Sequence, residues 1–233
     1  MTNRLRPNLY LQFKLIRPSI TIFWSIVISI QAALLILLIT LHDTATDSSM
    51  VFGGTGALYV FSFILGMLTF KDAFPLALSM GATRRSYYLG TQLAYVLLSL
   101  FQAALVTILG IVEGIIERSV DVPLQLYHYR LIGASSYVES FVFQFVLVLF
   151  LTVMADLCAA WTYKIGRVFL FGIGAIMIIF VSLAVFFGWF SPVFEWLMTI
   201  DSYWEGILYI LPAAIVCMLL SWLPIRRVEL KKS

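Results

Sequence analysis

The chain has 233 residues, of which 62% are hydrophobic and 12% are charged; its formal net charge is +3 and its mean hydropathy is +1.00. Soluble domains average about 45–50% apolar and about 25% charged residues, so this composition excludes a soluble globular protein and indicates an integral membrane protein. The length allows several membrane crossings but no separate soluble domain of about 100 residues, so residues 1–233 are predicted to form one transmembrane domain.

The first segment, 1–18, mixes apolar and basic residues. Within Asn8–Arg17 the side chains of Leu9, Phe13 and Ile16 share one helical face, and the basic side chains are displaced from it. This pattern predicts a short helix lying in the inner membrane interface. The alternative is an extension of the first membrane span with snorkelling basic residues. The N-terminus lacks a short apolar run with a small-residue cleavage site, so no removable signal peptide is expected.

Six apolar runs are long enough to cross a hydrocarbon core of about 30 Å, which takes about 20 helical residues. The chain is therefore predicted to be an all-α protein of six transmembrane helices, the third continuing as an amphipathic helix toward Glu117. The predicted spans are Ser19–Leu41, Val51–Phe70, Ser86–Ile111, Tyr137–Trp161, Val168–Phe190 and Gly206–Leu223. Residues 191–205 are aromatic and acidic and are predicted to form an outer interfacial segment.

The basic residues are distributed asymmetrically between the two sides of this predicted bundle. With an even number of spans, both termini lie on one side, and that side carries every Lys and Arg except Arg118 and Arg130. Basic loops remain in the cytoplasm, so both termini are predicted to be cytoplasmic, including the tail 225–233.

In the loop between the second and third spans, 71–85, proline and glycine occupy positions typical of the start and the end of a helix. Pro75 suits the first turn of a helix, where its missing N–H would be unpaired anyway. The apolar stretch Phe74–Met80 supplies helix-forming residues, and Gly81 is placed to end that helix in the left-handed conformation. The loop therefore predicts a short cytoplasmic helix lying across the path of the chain.

Directly after this segment, Thr83 is placed to cap the third helix, and Arg84 and Arg85 open it. An ordinary inner loop needs only a few basic residues. An apolar helix exposed on the cytoplasmic side implies a protein partner as well.

Three acidic residues lie in or beside apolar runs. Asp156 is the most deeply embedded, and we expect either an ion pair with Lys164, Arg167 or an inner-loop arginine, or a role in gating or a proton path. Glu113 and Glu117 are four apart and share one face at the outer end of the third helix. They either line a vestibule or mark a solvated helix end.

The chain contains no motif of a known enzyme class. It has no GxxxxGK[ST], HExxH or GxSxG sequence and no cluster of Cys and His. Cys158 and Cys217 lie inside apolar runs and are interpreted as small core residues rather than a disulfide or metal pair. We therefore expect no catalytic residue, no metal site, no cofactor bound by this chain and no nucleic-acid partner.

The sequence FPLALSMGATRRSYYLG, which follows the second span and leads into the third, resembles the permease subunits of type 2 ABC exporters. The likeness lies in an aromatic-Pro start, Ala-Leu-Ser, Gly, an Arg pair, an aromatic pair and a final Gly. Such permeases have six membrane helices, an N-terminal interfacial helix and a short coupling helix between the second and third spans.

The resemblance implies that a separate ABC ATPase subunit, which binds ATP and Mg, docks on the coupling helix, with Arg84 and Arg85 beside it. It also implies a second permease chain, identical or related, and a bacterial cytoplasmic membrane as the location. The implied docking residues are Phe74, Pro75, Leu76, Leu78, Ser79, Met80, Gly81, Arg84 and Arg85.

The leading hypothesis is thus a permease subunit of an ATP-driven exporter. The small outer loops and aromatic-rich spans favour a hydrophobic or amphipathic substrate such as a peptide, drug or lipid. One alternative is a membrane immunity or sensor protein that needs no ATPase. Another is a proton-coupled carrier that uses Asp156 and Glu113.

Overall fold

The computed structural model describes residues 5–41, 50–51, 54–120, 124–125, 136–166 and 203–227, together with positions 168, 169, 172, 179 and 182. The helices described over continuous ranges are α1 (Leu5–Leu41), α2 (Gly54–Ser79), α3 (Arg84–Val120), α4 (Tyr137–Ile165) and α5 (Tyr203–Arg227). Two short strands, β1 (Met50–Val51) and β2 (Leu124–Gln125), pair in parallel, with Met50 opposite Leu124 and Val51 opposite Gln125.

Within the described residues, 5 helices are long and apolar enough to cross a membrane, which indicates a multi-pass helical membrane protein. Helices α3 to α5 contain the predicted third, fourth and sixth spans, and α2 contains the predicted second span from Gly54 onward. The predicted start of that second span, Val51, lies in β1 instead. The predicted amphipathic continuation of the third span is present, because α3 runs to Val120. The predicted fifth span falls largely outside the described residues, as do 191–202 and the end of the tail, 228–233.

The N-terminal segment does not form a separate interfacial helix. Helix α1 runs from Leu5 to Leu41 with Pro18 inside it, so residues 5–18 continue directly into the predicted first span. The reason is tertiary packing. The amides of Asn8 and Gln12 donate to the hydroxyls of Ser86 and Thr91 on α3, each at 2.8 Å. These contacts hold the first turns of α1 against α3.

Exposed basic side chains gather at one end of the bundle. This end contains the start of α1 and α3 and the last turns of α2, α4 and α5, joined by the contacts Asn8–Ser86, Phe74–Tyr163 and Arg84–Arg226. We call it the basic end. The exposed basic residues there are Lys14, Lys71, Arg85, Lys164 and Arg226.

Helices α2 and α4 approach each other closely at Gly66. A Cβ atom added to Gly66 would clash with the backbone oxygen of Thr152 and would lie 2.9 Å from the Cβ of Ala155. Small residues allow membrane helices to approach in this way, since lipid gives little hydrophobic drive to association. No motif in the sequence analysis had singled out Gly66.

Gly66→Ala should therefore destabilise the bundle by about 1–3 kcal/mol, because a backbone carbonyl cannot yield to the added methyl group. Gly56→Ala on the same helix is the matched control, since nothing lies within 4 Å of its added Cβ. Thermal unfolding in detergent measures both. Equal melting temperatures for the two variants would contradict this packing.

Candidate functional site

The turn between α2 and α3 has the geometry predicted for its end residues. Gly81 is in the left-handed region, with φ of 80°. Its N–H donates to the carbonyl of Leu78, and the N–H of Ala82 donates to that of Ala77, each at 3.0 Å. These two bonds form a Schellman motif that satisfies the last carbonyls of α2. The prediction that Gly81 ends the helix is confirmed.

The start of α3 is also as predicted. Thr83 lies just before the helix, and its hydroxyl accepts from the backbone N–H of Ser86 at 3.2 Å. This is an N-cap bond, which satisfies one of the free donors of the first turn. Arg84 is the first residue of α3.

The separate coupling helix predicted at Phe74–Met80 is not present. Helix α2 continues without a break from Gly54 to Ser79, and Pro75 lies inside it rather than in the first turn of a new helix. The proline removes one backbone hydrogen bond, to the carbonyl of Lys71, but Lys71 is exposed. Packing of Phe70 and Phe74 on the same buried face keeps the helix continuous across this position.

The predicted docking residues divide between two faces of this last part of α2. Phe74 is completely buried, and Leu78 packs against the same core cluster. Leu76 and Met80 are 40% and 60% exposed, and Ser79, Gly81 and Arg85 are exposed as well. We call these five exposed residues the turn site. Pro75 is half-buried between the two faces.

The two arginines that open α3 differ in their surroundings. The guanidinium of Arg84 donates to the backbone carbonyl of Arg226, so it ties α3 to the end of α5. Arg85 is exposed and lies beside Tyr88, Leu89 and Trp222. Arg85 is thus the arginine of the pair that is available to a partner.

An aromatic cluster lies directly beneath the turn site. The ring of Phe74 is 5.1 Å from that of Phe70, 5.2 Å from that of Tyr87 and 5.6 Å from that of Tyr163. Ile225 of α5 belongs to the same cluster. Buried aromatic rings in contact form a stiff connection. The cluster therefore joins the end of α2 to α3, α4 and α5.

A groove of about 590 Å³ lies beside the turn, between it and the first turns of α1. Met80 and Gly81 form one wall, and Tyr10 and Lys14 form part of the other. Tyr10 is 70% exposed. The turn site and this groove make one continuous surface at the basic end, with apolar and cationic side chains. The exposed acidic side chain of Asp72 belongs to the same end of α2 but is not part of the turn site or of the groove lining.

Asp156 lies deeper in the bundle, on α4, and its side chain is completely buried. The hydroxyl of Tyr95 donates to Oδ1 at 3.0 Å, and Nε2 of Gln92 approaches Oδ2 at 3.4 Å. The same Gln92 amide approaches the hydroxyl of Ser221 on α5 at 3.3 Å. We call Gln92, Tyr95, Asp156 and Ser221 the buried polar cluster; the sequence analysis identified only Asp156.

The predicted ion pair between Asp156 and Lys164 is wrong. Lys164 is exposed, and its ammonium group lies 4.8 Å from the ring centre of Trp161. Lys164 lies two turns beyond Asp156 on α4, and its ammonium group remains at the basic end. It therefore does not reach the carboxylate of Asp156. Arg167 lies outside the described residues. The described partners of Asp156 are neutral.

The acidic residues at the far end of α3 are only partly described. Glu113 is buried, with 1% of its side chain exposed, so it does not mark a solvated helix end. Glu139, near the start of α4, is also buried. The side chain of Glu117 lies outside the described residues.

Both cysteines, Cys158 and Cys217, are free thiols, so they form no disulfide, as the sequence predicted. Both are half-buried.

The division of the turn residues predicts opposite effects for two neighbouring substitutions. Phe74→Ala should lower the free energy of unfolding by about 3–5 kcal/mol, because it opens a cavity in the aromatic cluster. Leu76→Ala should change it by less than about 1 kcal/mol, because the side chain is 40% exposed and lies outside the aromatic cluster. Unfolding in detergent distinguishes them, and comparable losses would mean that both residues face inward.

Comparison of the chain with protein-family models, curated proteins and solved structures finds no match. Within the described part of the chain, no three or more His, Cys, Asp or Glu residues are grouped so that they could hold a metal ion. The turn site and the buried polar cluster are thus the two places on which a functional interpretation depends.

Proposed function

We propose that this protein is the membrane-spanning permease subunit of an ATP-driven ABC exporter, and that a separate ATPase subunit docks on the turn site. The substrate class that suits the proposal is hydrophobic or amphipathic. The observation that carries the proposal is the exposure of Leu76 and Met80 around a tight, well-capped turn, next to the free cation Arg85. Apolar side chains exposed on such a rigid surface favour a protein partner.

This docking surface is narrower than the resemblance to exporter permeases implies. Phe74 faces the core and cannot contact a partner, so docking would use the end of α2 and the turn rather than a transverse helix. The groove beside Met80 adds Tyr10 and Lys14 from α1 to the surface. An acidic or amphipathic segment of the ATPase fits the positive charge of this end.

The proposed mechanism uses the aromatic cluster as the connection. ATP and Mg bound to two ATPase subunits would draw those subunits together and move the turns of two permease chains. Phe74 would transmit the movement to Tyr87 on α3 and Tyr163 on α4. If the helices have two alternative arrangements, ATP binding shifts the equilibrium only when it favours one arrangement over the other. A path between the permease chains would then open outward.

The permease chains would meet through apolar faces of the outer helices. Ile22 on α1 is 61% exposed and Leu208 on α5 is 69% exposed. Such faces suit lipid as well as a second copy or a related chain. Orientation in a bacterial cytoplasmic membrane, with both termini inside, follows from the positive-inside rule applied to the basic end.

The docking proposal predicts that Met80→Asp combined with Arg85→Glu weakens binding of the ATPase by about thirtyfold, the effect of losing about 2 kcal/mol at an interface hot spot. The measurement is affinity purification of the chain with each candidate P-loop ATPase from the same cell, together with ATP hydrolysis by any complex recovered. Lys71→Glu is the control for the charge reversal at Arg85, since Lys71 is an exposed cation of α2 outside the turn site.

Thermal unfolding of the double variant should be unchanged, because both side chains are exposed. An intact complex and intact ATP hydrolysis in the double variant would overturn the docking claim. If this protein carries out its function in cells that lack any ATPase partner, it would instead be a membrane immunity or sensor protein.

A further inference from the structure

A line of buried polar side chains runs along one face of α3. Thr91, Tyr95, Ser99, Gln102 and Glu113 share this face at 100° per residue, and each is at most 2% exposed. From Thr91 to Glu113 the helix rises about 33 Å, close to the thickness of the hydrocarbon core. Polar side chains inside a membrane are costly, so those buried along a membrane helix serve helix–helix contacts or function.

Helices α2 and α4 add polar groups where α3 is apolar, between Gln102 and Glu113. The Ser62 hydroxyl donates to Oε1 of Gln102, and the Tyr59 hydroxyl donates to Oε1 of Gln144, each at 2.9 Å. Tyr59 and Ser62 are three apart, so they lie on one face of α2. These groups, together with the five residues of α3, form what we call the polar line.

Some of the atoms along this line have no protein partner. Oγ of Ser99 and Nε2 of Gln102 are buried and make no hydrogen bond within the described part of the chain, although both residues are completely buried. Oε1 of Gln92 is in the same situation beside Asp156. Buried polar atoms of this kind are normally satisfied by water. Hydrated polar atoms at successive turns are the arrangement through which a proton can be relayed.

The neighbours of Asp156 are neutral on every helix that packs against it. From α3 it faces Gln92 and the phenol of Tyr95, with the phenols of Tyr87 and Tyr88 close enough to interact electrostatically. From α5 it faces Ser221, and the nearest titratable group of its own helix is Cys158. From α2, Gly66 approaches the neighbouring Ala155 and carries no titratable group. A buried carboxylate without a cation is costly, so the neutral acid is favoured here.

The Gln92 amide is placed to serve both the neutral and the ionised carboxyl. As it stands, Nε2 points to Oδ2 at 3.4 Å and suits the carboxylate, while Oε1 has no partner. A half-turn of the amide exchanges the two atoms, and Oε1 then accepts from the protonated acid. The side chain can thus follow the proton without moving the backbone.

We propose that Asp156 is an intramembrane proton-binding site, and that the polar line relays its proton across the membrane. The ligand is the proton itself, taken up by a carboxylate oxygen to give the neutral acid and released from it to a neighbouring polar group. This activity goes beyond the proposed exporter function and does not depend on it, because the residues of the polar line take no part in the turn site.

The test is proton flux into liposomes that contain the full chain, with a pH-sensitive dye inside and a valinomycin potential in sodium-free buffer. We expect the wild type to conduct protons faster than protein-free liposomes and Asp156→Asn to fall to the protein-free rate. Thr152→Val is the matched control. Its hydroxyl is buried one turn away on α4 but bonds only to the Val148 carbonyl, so flux should be retained.

A wild type no faster than empty liposomes, or undiminished flux in Asp156→Asn, would overturn the proposal. Equal losses in Asp156→Asn and Thr152→Val would also overturn it, because they would mark a packing effect. Should Asp156→Asn fail to fold, infrared spectroscopy of the wild type decides. A protonated carboxyl band near neutral pH that persists in Glu113→Gln and Glu139→Gln supports the site. Its absence contradicts it.

Discussion

The polar contacts that α3 makes with its neighbours are the interactions on which the rest of this bundle depends. Lipid is as apolar as leucine, so apolar side chains alone give membrane helices little reason to prefer protein neighbours. Hydrogen bonds and close backbone packing supply that preference. Helix α3 bonds to α1 through Ser86 and Thr91, to α2 through Gln102, and to α4 through Tyr95. The Tyr88 hydroxyl donates to a backbone carbonyl of α5.

This arrangement makes α3 the element that connects the two proposed sites. Its first residues complete the turn at the basic end, and Tyr87 joins the aromatic cluster beneath that turn. Gln92 and Tyr95, one and two turns further along the same helix, contact Asp156. A load on the turn would therefore reach the buried polar cluster through one rigid helix. Measuring ATP hydrolysis and proton flux in one preparation would show whether the two sites act together.

Hydropathy predicted much of the helical architecture, because crossing a membrane imposes a length and composition that no tertiary contact can override. Local turn chemistry was also decisive at Gly81 and Thr83. The predictions failed where tertiary contacts oppose a local signal. Pro75 was predicted to begin a new helix, yet α2 continues through it, since Phe74 is held against α3 and α4.

The candidate sites were less predictable for the same reason. The sequence identified the exposed residues of the turn but could not separate them from Phe74, whose orientation is set by Tyr163 more than 80 positions away along the chain. One of the two alternatives for Asp156 was an ion pair with a nearby cation, because nearby charges are visible in a sequence and distant neutral donors such as Tyr95 are not. Thr91, Tyr95, Ser99 and Gln102, polar residues at helical spacing in an apolar run, were the available signal for the polar line.

The central proposal is that an ATPase subunit binds this protein at the turn between α2 and α3. Site-specific photo-crosslinking in cells tests it most directly, with the photoreactive residue at position 80 and, for comparison, at 154. Met80 is exposed at the turn, and Met154 is exposed on the membrane part of α4. The account predicts a crosslink to an ATP-binding subunit from position 80 and none from position 154. Crosslinks from position 80 to lipid alone, or equal products from both positions, would contradict it.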